Sequence, residues 1–232
     1  MATRAPISTD DRLVISAELG AVIVLAILPY TFAALYQGPG AGTGYDFSQI
    51  RDCLYACVYA LQVMIPTLYI AWRTGFPWRA FGIVPFRFRV DLPLAIMIAV
   101  LTFILGVAAQ VLVRKFAWLL PLADRGTAPV GNTFTLVAYT LCILLNAAAE
   151  EFVIKSYFLV RMRQWGGTAF AIFMSSALFG FYHTYQGWAA GLEVGLVNCL
   201  MAWLYLKVPR LFPFILGHAF YNLFVIWLGS GA

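Results

Sequence analysis

The sequence predicts an all-α integral membrane protein, a polytopic bundle of about seven to eight transmembrane helices around an intramembrane cavity. Of its 232 residues 62% are hydrophobic and only 11% are charged, whereas soluble domains carry about 25% charged residues. The mean hydropathy is +0.85, and apolar runs recur at the length of roughly 20 residues that a membrane-crossing helix needs. A chain of this size cannot bury so much apolar surface in a water-facing fold, so we expect the bilayer to be its solvent.

Seven apolar segments are predicted to span the membrane, each bounded by charged or turn-forming residues. They cover residues 13–36, 52–72, 92–113, 134–158, 168–186, 188–206 and 210–228. The stretch "KFAWLLPL" at 115–122 is either an interfacial helix or an eighth, shorter span. No repeat and no shift in composition divides the chain, so residues 1–232 are expected to form a single membrane-embedded domain.

The basic residues predict the orientation of the bundle. If the N-terminus is cytoplasmic, the inner segments contain ten Lys and Arg and the outer segments contain four, as the positive-inside rule requires. We therefore expect a multi-pass protein of the cell (plasma) membrane with a cytoplasmic N-terminus. Loop arginines account for the net charge of +5, so no nucleic-acid partner is predicted. The oligomeric state is left open.

The segment "AAAEEFVIKSY" at 147–157 places three ionisable groups, Glu150, Glu151 and Lys155, in an apolar span. Each such group costs about 2.5–3.5 kcal/mol on insertion scales unless it finds a partner. Glu151 and Lys155 are four residues apart and share one helix face, so they are predicted to pair. Glu150 lies about 100° away and is expected to point elsewhere. The alternative is that all three groups form a structural packing cluster.

Both histidines of the chain, His183 and His218, also fall in predicted spans, and Asn222 follows His218 at i+4. Glu150 and His183 are equally far along the chain from the predicted turn at Gly166 and Gly167, so antiparallel helices carry them to matching heights. The last span re-enters near Arg210, which places His218 and Asn222 about 12–18 Å above that end. These four polar groups are therefore predicted to meet in one layer near the middle of the bilayer.

Three short motifs in this part of the chain resemble those of the CAAX protease and bacteriocin-processing membrane family, which includes the Ras-converting CAAX endopeptidase. "EEFVIK" (150–155) is similar to its E-E-x-x-x-R motif, "FGFYH" (179–183) to F-x-x-x-H, and "HAFYN" (218–222) to H-x-x-x-N/D. The resemblance covers roughly residues 134–228. One position departs from the pattern, because Lys155 stands where the family has arginine. Lysine keeps the charge but lacks the planar guanidinium that binds a carboxylate through two bonds.

The resemblance implies a glutamate-type intramembrane endopeptidase that needs no metal or other cofactor. Glu150 and His183 would activate a water molecule, and His218 and Asn222 would stabilise the oxyanion. Supporting positions are Glu151, Lys155, Phe179 and Asn146, the last because it precedes Glu150 by one helical turn. The implied partner is a peptide or protein substrate at the membrane, either with or without an attached lipid.

Other functions remain open on the sequence alone. Glu150, His183 and His218 are of the right types to hold zinc, which would make the protein a zinc-dependent membrane protease. A scaffold, chaperone or bacteriocin-immunity protein on the same fold would retain the helices without catalysis, and Lys155 is the feature that favours this alternative. A transporter is less favoured, because neither inverted repeats nor paired broken helices are visible.

Two further features are interpreted as structural. Gly187, Gly191 and Gly195 are spaced by four residues and are predicted to form a face on which another helix packs closely. Glu193 lies off this face and is expected to have no catalytic role.

Overall fold

The computed structural model describes residues 9–37, 46–115 and 133–229, and in these residues the fold consists of helices without strands. The α-helices are α1 (Thr9–Val22), α2 (Leu28–Gln37), α3 (Ile50–Arg73), α4 (Phe88–Arg114), α5 (Thr133–Glu150), α6 (Val160–Gly166), α7 (Thr168–Tyr182), α8 (Trp188–Lys207) and α9 (Leu211–Gly229). Two π-helices, Ile23–Ile27 and Glu151–Leu159, join α1 to α2 and α5 to α6 without a break. Two short 3₁₀ segments, Trp78–Phe81 and His183–Gln186, complete the fold.

These elements form seven continuous helical rods, which confirms the predicted all-α membrane bundle at the lower end of its predicted helix count. Four rods are long and apolar enough to cross a membrane: Ile50–Arg73, Phe88–Arg114, Thr133–Gly166 and Trp188–Lys207. Leu211–Val225 is a shorter apolar helix. The segment proposed as an eighth span lies almost wholly outside the described residues. The chain is thus a helical membrane protein.

The span predicted at 134–158 continues further than expected, to Gly166. No glycine or proline interrupts the sequence between these points, so nothing ends the helix earlier. Gly167 then adopts a φ of +85°, and α7 begins at the next residue. The predicted turn between the span that carries Glu150 and the span that carries His183 is therefore present where expected.

Helices α7 and α8 pack closely through glycines, as predicted for two of the three positions. A Cβ atom on Gly191 would lie 2.6 Å from the carbonyl oxygen of Gly180, and one on Gly195 would lie 3.2 Å from the carbonyl oxygen of Ser176. The prediction was wrong for Gly187, which lies in the turn before α8 with a φ of +105°. This left-handed conformation, and not helix packing, requires glycine there.

The basic loop between α3 and α4 is anchored inside the bundle. Phe81 is buried, and its ring stacks on Tyr157 of the second π-helix with 5.6 Å between ring centroids. Its carbonyl oxygen accepts hydrogen bonds from the hydroxyl groups of Ser156, at 2.5 Å, and Tyr205, at 2.6 Å. The loop therefore supports the π-helix at Ser156 and Tyr157, directly after Lys155.

Two ion pairs hold the same end of the bundle together. The guanidinium group of Arg210 donates to both carboxylate oxygens of Asp91, at 2.5 and 2.8 Å, and Asp91 is fully buried. Arg161 of α6 donates to Glu18 of α1, which also accepts a hydrogen bond from the Tyr157 hydroxyl group at 3.1 Å. These contacts connect the first helix to the π-helix on which the polar cluster lies.

Candidate active site

The centre of the candidate site is the junction of α5 with the π-helix Glu151–Leu159. Glu150 is the last residue of α5, and all nine residues of the π-helix are buried. A π-helix widens the backbone turn, is rare, and occurs most often at functional sites. Hydrophobic side chains of this segment, including Phe152, Tyr157 and Phe158, form the middle of the main core cluster. The glutamates are thus attached to a rigid and fully packed part of the bundle.

Glu151 forms the predicted ion pair with Lys155. The Lys155 ammonium nitrogen lies 2.7 Å from Glu151 Oε1, and each side chain is 4% exposed. The same oxygen lies 3.0 Å from Nδ1 of His218 on α9. Lys155 also lies over the ring of Phe179, 5.2 Å from its centroid. The charge of Glu151 is therefore balanced from its own helix and from α9.

The two oxygens of the Glu150 carboxylate have different surroundings. Oε1 accepts hydrogen bonds from the Asn146 amide nitrogen, at 2.8 Å, and from the hydroxyl group of Tyr182 on α7. Oε2 is buried and has no hydrogen-bond partner among the described residues. It lies 3.6 Å from Nε2 of His218. One oxygen is therefore held by two protein donors, while the other faces an imidazole just beyond hydrogen-bond distance.

The expectation that Glu150 points away from the Glu151 pair needs correction. Both glutamates contact the imidazole of His218, Glu151 through Nδ1 and Glu150 on the side of Nε2. Adjacent helical residues do diverge by about 100°. Their side chains nevertheless reach opposite edges of one ring, because His218 lies between them. The two glutamates and this histidine therefore form one cluster.

His183 directly follows α7 and lies beside Tyr182, which contacts Glu150. Its Nδ1 lies 2.8 Å from the carbonyl oxygen of Phe179, the first residue of the same motif. A carbonyl only accepts hydrogen bonds, so Nδ1 carries the proton and Nε2 the lone pair of the neutral ring. The ring packs against Tyr182, with 4.2 Å between centroids. The Tyr182 hydroxyl group bonds to Glu150, so the residue directly before His183 connects this histidine's motif to the motif that contains both glutamates.

Asn222 lies on α9 one turn beyond His218 and is partly buried. It therefore shares a helix face with the histidine that contacts both glutamates. Glu193 is buried on α8. A Cβ atom on Gly106 of α4 would lie 3.6 Å from its Oε1, which places this carboxylate beside α4.

A small, partly open cavity adjoins Glu150. Apart from Glu150 and Tyr182 its walls are apolar, and they come from the first π-helix, α3 and the second π-helix: Ala26, Ile27, Val63, Val153 and Ile154. A space of this kind next to a carboxylate is sufficient for about one water molecule. Within residues 9–37, 46–115 and 133–229 no three His, Cys, Asp or Glu side chains are arranged to hold a metal ion.

Sequence reasoning missed Tyr182 and the two residues of the first π-helix. Tyr182 stands inside "FGFYH" directly before His183, but nothing local indicates that its hydroxyl group crosses to α5. Ala26 and Ile27 are ordinary apolar residues of a predicted span, and no sequence signal distinguishes them. Asn146 could be found, because its spacing of four from Glu150 matches the contact that the structure contains.

Comparison with known proteins agrees with the motif-based resemblance. A family model described as type II CAAX prenyl endopeptidase Rce1-like matches residues 132–224. No curated protein and no solved structure matches the chain. The matched segment contains both glutamates, both histidines and Asn222, which confirms the family resemblance predicted from the three motifs. Residues 132–224 of this membrane protein, which contain the residues of the polar cluster, are therefore similar to the Rce1-like family of type II CAAX prenyl endopeptidases.

Proposed function

We propose that this protein is an intramembrane endopeptidase that hydrolyses a peptide bond with a water molecule activated by Glu150 and His183. His218 and Asn222 are proposed to stabilise the oxyanion that forms on the substrate carbonyl. The match to the family model supports the reaction class. The contacts of Glu150 with His218 and with Tyr182, whose ring packs against His183, support the choice of residues.

The observation that carries the proposal is the asymmetric environment of Glu150. Oε1 is bound by two protein donors, whereas Oε2 is buried without a hydrogen-bond partner among the described residues. A buried carboxylate oxygen without a donor costs about 1–3 kcal/mol or more. A water molecule that donates to Oε2 removes this cost and is at the same time oriented for attack. The arrangement therefore favours a hydrolytic water at this oxygen.

The histidines suit two different steps. Nε2 of His183 carries the lone pair, so this ring can accept a proton from the attacking water. His218 donates from Nδ1 to Glu151, and its Nε2 faces Glu150. When both glutamates and Lys155 are charged, a protonated His218 makes the cluster neutral, which a low-dielectric environment favours. Nε2–H of His218 can then donate to the developing oxyanion, together with the Asn222 amide.

The proposed reaction balances without a redox step or a metal. The water oxygen bonds to the carbonyl carbon, and one water proton passes to Glu150 or His183. The carbonyl–nitrogen bond then breaks, and the retained proton goes to the leaving amine. The products are a carboxylic acid, which keeps the second water proton until it ionises, and an amine, which takes up that proton as an ammonium group.

The substrate is proposed to be a peptide or protein tail at the membrane surface. The words "prenyl endopeptidase" in the description of the matching family favour a lipid-modified C-terminus, whereas an unmodified leader peptide is the alternative. Synthetic peptides of identical sequence, with and without a farnesyl group on cysteine, separate these substrates when their cleavage products are identified by mass spectrometry.

The decisive test compares wild type with Glu150→Gln in proteoliposomes against such a peptide library. We expect the variant to lose cleavage while keeping its melting temperature, because glutamine preserves shape but cannot take a proton. Glu193→Gln is the matched control, since this carboxylate is similarly buried at 6% exposure against 7% for Glu150. Cleavage by Glu150→Gln at the wild-type rate rules out the glutamate mechanism. No cleavage by wild type favours the non-catalytic scaffold instead.

The orientation is also a proposal. With a cytoplasmic N-terminus, the loop anchored by Phe81 and the ion pair between Asp91 and Arg210 lie on the cytoplasmic side, where basic residues concentrate. Labelling of single introduced cysteines at Thr74 and Ser48 with an impermeant reagent in intact cells tests this. We expect labelling at Ser48 only.

A further inference from the structure

Tyr182 links the two parts of the proposed catalytic pair. It is almost fully buried, its hydroxyl group donates to Glu150 Oε1, and its ring packs against His183. The motif positions do not include this residue. Removing the tyrosine hydroxyl would leave the carboxylate held on one oxygen by Asn146 alone, a donor from its own helix.

We propose that Tyr182 is a positioning residue that fixes the rotation of the Glu150 carboxylate and so keeps Oε2 directed towards His218. A carboxylate held by one donor can rotate about its terminal bond and exchange its two oxygens. A second donor, from a different helix, fixes which oxygen is bound and which is open. The inference rests on the proposed function, because the position of Oε2 matters only if this oxygen binds the reacting water.

The same bond sets the distance between two helices. Tyr182 ends α7 and His183 follows it directly, while Glu150 ends α5. The hydroxyl–carboxylate bond therefore fixes the separation of the two groups proposed to activate water. His183 cannot shift independently, because its Nδ1 is bound to the Phe179 carbonyl oxygen at 2.8 Å. Tyr182 thus aligns His183 with Glu150 as well as orienting the carboxylate.

The test is Tyr182→Phe, which removes one oxygen atom and keeps the ring that packs on His183. We expect kcat to fall about 10- to 100-fold, the loss that corresponds to one hydrogen bond to a charged group, with KM nearly unchanged. Tyr139→Phe is the matched control, an equally buried tyrosine that packs on Phe47 at 4.9 Å, and it should cleave like wild type.

A double-mutant cycle with Asn146→Ala separates positioning from general loss of structure. Both residues donate to the same oxygen, so their effects on kcat should not be additive. A second readout is independent of turnover: the infrared band of the Glu150 carboxyl group, assigned from the difference between wild type and Glu150→Gln, should shift in Tyr182→Phe.

The outcomes are distinguishable from failure of the proposed function. If wild type cleaves, Glu150→Gln does not, and Tyr182→Phe retains the wild-type kcat and infrared band, the positioning role alone is overturned. If wild type shows no cleavage of any peptide, both proposals fail. A reduced kcat with a shifted band and unchanged melting temperature supports the role of Tyr182.

Discussion

Lys155 and Glu151 form a buried ion pair across one turn of a π-helix, with 2.7 Å between Nζ and Oε1. This pair explains how an apolar helix accommodates two of its three ionisable groups. The ammonium group neutralises the carboxylate, and the ring of Phe179 covers the cation. The third group, Glu150, is left to interact with Tyr182 and His218. The structural pair and the proposed catalytic carboxylate are thus neighbours in the chain that share His218 but otherwise have different partners.

Substitution of Glu151 should lower the free energy of unfolding more than substitution of Lys155. Glu151→Gln leaves Lys155 buried with only a ring contact, and such an uncompensated charge costs about 3–5 kcal/mol. Lys155→Met should cost less, because Glu151 keeps its contact with His218. The double variant should be less destabilised than the sum of the single variants. Reversible unfolding in detergent measures all three, and strictly additive effects would show that the two residues do not interact.

Restoring the arginine of the family motif, Lys155→Arg, should preserve or modestly raise cleavage. A guanidinium group can hold Glu151 through two bonds. If the site beside Phe179 is too small for it, overpacking costs about 1–3 kcal/mol and appears as a lower melting temperature. Lys155→Met serves as the uncharged comparison. Our account of this residue is wrong if the methionine variant both melts and cleaves like wild type.

Cleavage should not depend on a metal ion. Oε1 of Glu150 already accepts two hydrogen bonds, and the amide of Asn222 is not an ordinary zinc ligand. Activity and melting temperature should therefore be unchanged after dialysis against a strong chelator. Loss of both, reversed by added zinc, would instead support the zinc-dependent alternative.

Substitution of Gly180 by alanine should separate α7 from α8. The added Cβ would lie 2.5 Å from the carbonyl oxygen of Gly191 and 3.1 Å from Cα of Gly195, and neither backbone atom can move aside without a helix shift. We expect destabilisation of about 1–3 kcal/mol. Gly20→Ala is the control, because an added Cβ there meets nothing within 4 Å. Equal melting temperatures for the two variants would contradict the close packing.

The hydroxyl groups of Ser156 and Tyr205 both bind the Phe81 carbonyl oxygen, so either one alone should be enough to satisfy this acceptor. Ser156→Ala or Tyr205→Phe alone leaves one donor and should cost little. The double variant leaves a buried acceptor without a partner, at about 1–3 kcal/mol. Ser175→Ala is the control, since its hydroxyl group bonds only to a carbonyl of its own helix. If the double variant loses only the sum of the unfolding free energies lost by the two single variants, the hydroxyl groups do not share an acceptor.

Local spacing was enough to predict one part of this structure. The lengths of the apolar runs predicted the helical rods, and the paired glycines predicted the turn before α7. Spacing of four residues predicted two contacts, Glu151 with Lys155 and Asn146 with Glu150. These features depend on residues within about one helical turn of each other. Gly187 shows the limit of such reasoning, because a regular spacing of small residues did not reveal where α8 begins.

The features that could not be predicted depend on distant parts of the chain. The hydroxyl group of Tyr182 reaches Glu150 only because α7 and α5 pack at one particular rotation. The pairing of Glu18 with Arg161 likewise needs the first helix to lie against α6. The π-helix at Glu151–Leu159 has no distinguishing composition. A single sequence contains no direct information about such long-range contacts.

The anchoring of Phe81 bears on how the protein tolerates sequence change. What the loop offers to Ser156 and Tyr205 is a main-chain carbonyl, which every amino acid possesses. The cavity walls contributed by Ala26, Ile27 and Val63 are likewise defined by size and not by a reactive group. At these positions of the N-terminal half, substitutions that keep the backbone path and the side-chain size should therefore leave the surroundings of Glu150 intact.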